Sequence, residues 1–208
     1  PLDSPTIRGP TMDLAIRNVT IIDGTGAPAR TGDVGIADGR VVAVGAPGGD
    51  EVGPATTEVD GTSMMLAPGF VDPHTHYDAQ LFWDPTGSPS NLHGVTTVIA
   101  GNCGFTLAPL TPGDGDYTRR MMAKVEGMPL KALEEGIEWD WSTFPEYLTR
   151  LEGRLGVNAG FLVGHCALRR RVMGPDSVER EATPEEIEQM RALLAEGIRA
   201  GGLGFSTT

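Results

Sequence analysis

Two rhythms of apolar and polar positions divide this chain. From Asp13 to about Leu66, short apolar runs alternate with Gly-containing turns. Residues 13–26 (DLAIRNVTIIDGTG) pass from alternating to continuous apolar character and stop at Asp23-Gly24. Residues 33–45 (DVGIADGRVVAVG) predict a hairpin, because Asp38-Gly39 supplies a tight turn between two β-branched runs. A third such pair, Asp60-Gly61, interrupts residues 57–69. Three Asp-Gly turns at this spacing predict a small antiparallel β region over 13–66. Residues 1–12 lie ahead of that pattern and read as a disordered extension.

After Pro68 the rhythm changes. Four runs, at 69–78, 96–104, 156–166 and 201–208, are apolar at their starts and polar at their C-terminal ends. Helical patterns fall between them. Thr143 and Glu146 form a capping box ahead of PEYLTRLEG, which Gly153 can stop. Thr183 and Glu186 form another, and beyond it Ile187, Met190, Leu194 and Ile198 share one face of a helix. Strands alternating with helices mean parallel βα units, an α/β architecture. In a (β/α) barrel the C-terminal strand ends carry the active site. An eight-stranded barrel needs about 250 residues, whereas about 140 follow Pro68. The expectation is a barrel cut near its middle over 67–208, poorly soluble in isolation because its fourth strand presents an unpaired edge, and inactive.

Charge and composition narrow the function classes. A formal net charge of −12 argues against nucleic acid or an anionic membrane as a partner. The one dense basic run, Arg169-Arg170-Arg171, reads as a loop or carboxylate-pairing segment. Residues 85–113 contain no Asp, Glu, Lys or Arg, yet Pro, Gly, Ser and Asn break any apolar run long enough to span a bilayer. The cysteines, Cys103 and Cys166, lack the spacing of a disulfide framework or a CxxC motif, so a reducing, cytoplasmic compartment is expected.

The sharpest chemical feature is His74-Thr75-His76. Residues two apart on a strand point to one side, so both imidazoles can reach one metal ion. Imidazole suits zinc, iron, nickel or manganese alike. Asp72 and Asp78 share that parity and are expected to face the same cavity. Cys103, one βα unit later at another strand end, offers a thiolate of the kind zinc binds, or else a small core residue. His165 ends the third run and is a candidate for substrate or metal contact, with Cys166 on the opposite face. His93 reads as a helix-end residue. Trp139, Trp141, Phe144 and Tyr147 read as packing around a helix start, with an apolar substrate wall as the alternative.

Taken together, the motifs resemble a known family. APGFVDPHTHYD (67–78) resembles the first barrel strand of the amidohydrolase superfamily, whose HxH binds metal. HGVTTVIAGNCGFTLAP (93–109) is similar, more narrowly, to the D-aminoacylase branch of N-acyl-D-amino-acid deacylases. Residues 121–148, GHCALRRRVMG (164–174) and AGGLGFSTT (200–208) resemble the same branch, so the likeness runs from Asp13 to Thr208.

The resemblance implies a set of roles. Cys103 matches a cysteine that ligates zinc where many amidohydrolases use a carboxylated lysine, and His74 with His76 matches the pair serving a second metal position. One or two zinc ions, a small N-acyl amino acid substrate and hydrolysis of a non-peptide amide bond follow. The remaining metal histidines and the general-base aspartate belong to later strands, past residue 208. The β region matches the N-terminal part of a β-sandwich. Alternatives are a cyclic amidase of the dihydroorotase or hydantoinase kind, against which Gly101-Asn102-Cys103-Gly104 counts, and a truncated metal-binding relative without catalysis. Oligomeric state, acyl preference and configuration are left open by the sequence.

Overall fold

The structure, a computed structural model, describes residues 12–111 and 113–208. The extension expected at 1–12 therefore lies outside the described residues, apart from Met12. That residue is buried and opens the first strand. The chain forms two compact units, Pro1–Pro68 and Gly69–Thr208.

The first unit is a five-stranded sheet. Strand β1 (Met12–Ile21) pairs antiparallel with β2 (Arg30–Ala37), which pairs antiparallel with β3 (Arg40–Gly45). Asp38 and Gly39, at φ 50° and 69°, supply the two left-handed positions that the hairpin turn requires. The expectation of an antiparallel region needs correction, however. β4 (Ala55–Asp60) and β5 (Met65–Leu66) both pair with β1 in parallel, so the sheet is mixed. The chain leaves β3 at one edge and returns on the far side of β1, a crossover that turn residues alone do not announce. Asp33 is buried and accepts from the amides of Asn18 and Gly48 and from the Arg17 guanidinium. Burial opposes its ionisation, but these donors, led by the Asn18 amide, hold its carboxyl below the usual range.

The second unit carries four parallel strands in the order β6 (Phe70–Asp72), β7 (Val95–Ala100), β8 (Asn158–Gly164) and β9 (Gly204–Ser206). Helices α1 (Gly115–Val125), α2 (Leu130–Glu135) and α3 (Phe144–Leu151) fall between β7 and β8; α4 (His165–Met173) and α5 (Pro184–Arg199) fall between β8 and β9. Each βα unit thus advances one strand across the sheet, the construction of a (β/α) barrel. Both capping boxes form as expected, at Thr143–Glu146 and Thr183–Glu186.

The core of this unit centres on Tyr147, whose ring lies 5.5 Å from Trp141 and 5.3 Å from Phe161. Trp141, Phe144 and Tyr147 are buried, so this aromatic group packs the core. The buried face of α5 differs from the expected stripe. Met190 and Leu194 pack inward with Leu193, whereas Ile187 and Ile198 are exposed. The contact runs through Gly197, where a Cβ would come within 2.8 Å of Val163, so the helix seats on β8 through a residue without a side chain.

No helix among the described residues is long and apolar enough to cross a membrane. Residues 85–111 form two short 3-10 turns, at Ser90–His93 and Asn102–Gly104, with β7 between them and loop around them.

Candidate metal centre at the strand ends

The hydrogen-bonded part of β6 ends at Asp72, two residues before the first histidine. Pro73 has no N–H to continue the ladder. The HxH segment is accordingly a loop that bends at Pro73 and His74, and the expectation that it lies on the strand is corrected. Its alignment survives because Thr75 docks on β7, its amide and hydroxyl both donating to the Ile99 carbonyl at 2.9 Å. His74 and His76 flank that anchor and both turn to the same side, with ring centroids 5.6 Å apart. Asp72 accepts from the His74 amide at 3.2 Å, which fixes the turn.

The loop after β7 brings in the third group. Gly101 has φ 83°, and a Cβ there would sit 2.4 Å from the Leu162 carbonyl oxygen, so only glycine lets the chain cross the end of β8. Cys103 itself adopts φ 53°, an unusual conformation for a residue with a side chain. Buried neighbours impose it. The Asn102 side-chain amide Nδ2 donates to the carbonyls of Thr75 and Ile99, at 3.2 and 3.0 Å. Ser206, at the end of β9, accepts from the Gly104 amide at 3.1 Å and donates to the Gly101 carbonyl. Strained backbone held on both sides in this way is the mark of a positioned side chain.

The result is a cluster of His74, His76 and Cys103 whose ligand atoms all lie within 4.8 Å of one another. Cys103 Sγ and His74 Nε2 are 3.4 Å apart. A tetrahedral zinc ion with its usual bond lengths holds an N and an S donor roughly 3.6 Å apart, so the donor set fits the ion in both chemistry and spacing. All three groups are at the C-terminal ends of adjacent parallel strands, where barrel active sites are built.

The other expected site residues are placed differently. Asp78 is buried outside the cluster, accepting from the Gly101 amide at 3.1 Å. Burial pushes its carboxyl up to about 7 against the pull of that amide, and the nearby Glu126 charge adds to the rise. The shared cavity expected for Asp72 and Asp78 is not found, because strand parity does not carry through a chain that turns at Tyr77. Tyr147 donates its hydroxyl to the Asp78 carbonyl at 3.1 Å, inside the core.

His165 begins α4 and pairs through Nδ1 with Thr207 Oγ1 at 3.0 Å, apart from the three-residue cluster. Burial, then the Arg169 charge, lowers its basicity. Cys166 is half-buried in the same helix turn, and burial pushes its thiol up. The basic run lies within α4 and not in a loop; Arg170 forks onto Asp114 at 2.8 and 2.6 Å, the carboxylate-pairing role expected of it, and Arg169 donates to the carbonyls of Ser177 and Arg180.

Sequence reasoning missed Glu126, whose Oε1 lies 3.4 Å from His76 Nδ1. No local signal marks it, because the sequence does not announce α1 and only the folded chain brings this carboxylate to the imidazole.

A chain with these strand-end donors belongs to the amidohydrolase family, whose sequence model matches residues 57–208. Among its relatives, N-acyl-D-aspartate deacylase from Alcaligenes xylosoxydans xylosoxydans is 41% identical over 200 residues, spanning 94% of this chain and 36% of that protein. The crystal structure of a D-aminoacylase superposes with a TM-score of 0.77 at 37% identity, covering 94% of this chain and 38% of the other. N-acyl-D-glutamate deacylase from Bordetella bronchiseptica, solved with zinc and a phosphonate inhibitor, gives 0.77 at 32% identity over 95% of this chain and 38% of the other. The fold is therefore α/β, a segment of the amidohydrolase barrel preceded by part of a small β-sandwich. The chain spans a little over one third of the length of these relatives.

Proposed function

We propose that this chain supplies the first three metal-binding side chains of a zinc-dependent hydrolase that removes the acyl group from N-acyl-D-amino acids. The observation carrying the reading is the convergence of His74, His76 and Cys103 within 4.8 Å, on loops that follow two adjacent parallel strands. Relatives named as deacylases of N-acyl-D-aspartate and N-acyl-D-glutamate support the reaction class, as does the zinc bound to the latter.

Zinc held by His74, His76 and Cys103 would supply Lewis acidity toward an amide carbonyl and lower the pKa of water toward neutrality. The chain's own contribution is to hold the donors. Cys103 would serve as a thiolate ligand, and its left-handed backbone, clamped by Asn102 and Ser206, keeps the sulfur on the His74 side. Thr75 fixes the separation of the two imidazoles by anchoring the residue between them. Both cysteines are free, which fits the cytoplasmic setting proposed for the protein. A small N-acyl amino acid is the partner this site implies; the acidic chain gives nucleic acid no counter-charge.

The test is hydrolysis of N-acetyl-D-methionine, N-acetyl-D-aspartate and N-acetyl-D-glutamate by the full-length protein, beside their L enantiomers, hydantoin and dihydroorotate. Turnover of the D substrates that a chelator abolishes and zinc restores is expected. Turnover of the cyclic amides alone would assign the protein to the cyclic amidases instead.

A further inference from the structure

We propose that Glu126 is a positioning residue for His76, its carboxylate fixing the tautomer and ring orientation in which that imidazole meets the metal. The inference rests on the metal reading above and adds to it a residue from a different βα unit.

His76 Nδ1 is buried and makes no hydrogen bond among the described residues. The group facing it is Glu126 Oε1 at 3.4 Å, with the two side chains 24% and 14% exposed. That distance is slightly longer than a formed N–H···O bond. A neutral imidazole carries one N–H and one lone pair, so a carboxylate at Nδ1 selects the tautomer that leaves Nε2 free to ligate. Ligation at Nε2 in turn makes Nδ1 an obligate donor, and the pair closes.

The fold gives Glu126 no other reason to be where it is. It caps the C-terminal end of α1, its amide bonded to the Met122 carbonyl, and Gly127 at φ 66° then turns the chain away. A carboxylate at that end opposes the helix dipole. No Lys or Arg pairs with Glu126 among the described residues. A part-buried acid set against the helix dipole, with one imidazole partner, serves that imidazole, and carboxylate–histidine–metal relays are a recurrent way of orienting ligands.

The experiment compares zinc affinity, by competition with a chromophoric chelator, and the melting temperature of the metal-free protein, in full-length wild type, Glu126→Ala, Glu126→Gln and His76→Ala. The proposal expects Glu126→Ala to weaken zinc binding by about 10–100-fold. Glu126→Gln, which keeps an acceptor oxygen, loses less, and neither variant melts lower without metal. In the His76→Ala background, Glu126→Ala costs no further affinity. Unchanged affinity in Glu126→Ala overturns the proposal while leaving the metal site standing. A fall in metal-free melting temperature matching the affinity loss in both Glu126 variants reduces Glu126 to a structural residue. A wild type that binds no zinc overturns the metal reading and this inference with it.

Discussion

Cys103 Sγ lies 3.4 Å from His74 Nε2 although 29 residues separate them in sequence. Two loops that follow neighbouring parallel strands create the proximity, Thr75 pinning one loop to the Ile99 carbonyl and Asn102 binding that same oxygen from the other. One backbone carbonyl thus registers both halves of the donor set, and changes to the loops that surround it have predictable consequences.

Gly101→Ala should be strongly destabilising. The substitution asks an L side chain to hold φ 83° with its Cβ 2.4 Å from the Leu162 carbonyl oxygen. The left-handed backbone alone costs about 1–2 kcal/mol, and the clash adds to it. Chemical denaturation of the full-length protein should show a loss of at least about 2 kcal/mol. A stability within 0.5 kcal/mol of wild type, roughly the spread of neutral surface changes, would refute the close crossing of β8.

Tyr147→Phe removes the hydroxyl that donates to the Asp78 carbonyl and leaves that buried oxygen without its donor. The expected cost is about 1–3 kcal/mol. Because the bond anchors the loop that follows the HxH segment, zinc affinity should fall in the same variant. Loss of stability with affinity unchanged would uncouple the aromatic core from the site.

Acid should weaken the loop at 84–88 in a defined window. Burial raises the Asp84 carboxyl, but bonds from the Thr86 hydroxyl, the Gln80 amide and the Ser88 and Thr86 backbone outweigh it and hold the group at about 2. A carboxyl whose folded pKa is depressed contributes stability that is present above its unfolded value of about 3.9 and lost as pH falls through the folded one. Glu186, led by its Arg180 bonds, is likewise held at about 2. Wild type should therefore lose stability between about pH 4 and pH 2, and Asp84→Asn should lose less over that range. Parallel pH curves for the two proteins would contradict the assignment.

How much of this was legible in the sequence depended on how local each cause was. Capping boxes at Thr143 and Thr183, the Asp38-Gly39 turn and the four strand starts rest on neighbouring residues, and each formed where its signature stands. Helices α1, α2 and α4 carried no comparably clear start signal, and they were not foreseen. The parallel return of β4 onto β1 and the seating of α5 through Gly197 depend on partners far along the chain. In the site, HxH and Cys103 announced themselves as residue types. Yet the reason His74 and His76 converge is the Thr75 anchor, since Pro73 has already ended the strand whose parity suggested it. Asp78 and His165 were candidates by type and position, and the fold puts one beneath the loop and the other beside Thr207. Glu126 became visible only once α1 was folded against the HxH loop.

The most direct test of the metal centre is the zinc content of the full-length protein after purification without chelator, wild type beside Cys103→Ala. Wild type should carry at least one tightly held zinc ion. The variant, which loses the sulfur donor but keeps both imidazoles, should lose that zinc and its deacylase activity together while remaining folded. A Cys103→Ala protein with full zinc and full activity would contradict the account, leaving Cys103 as a packed residue on an unusual turn and the metal, if any, held elsewhere.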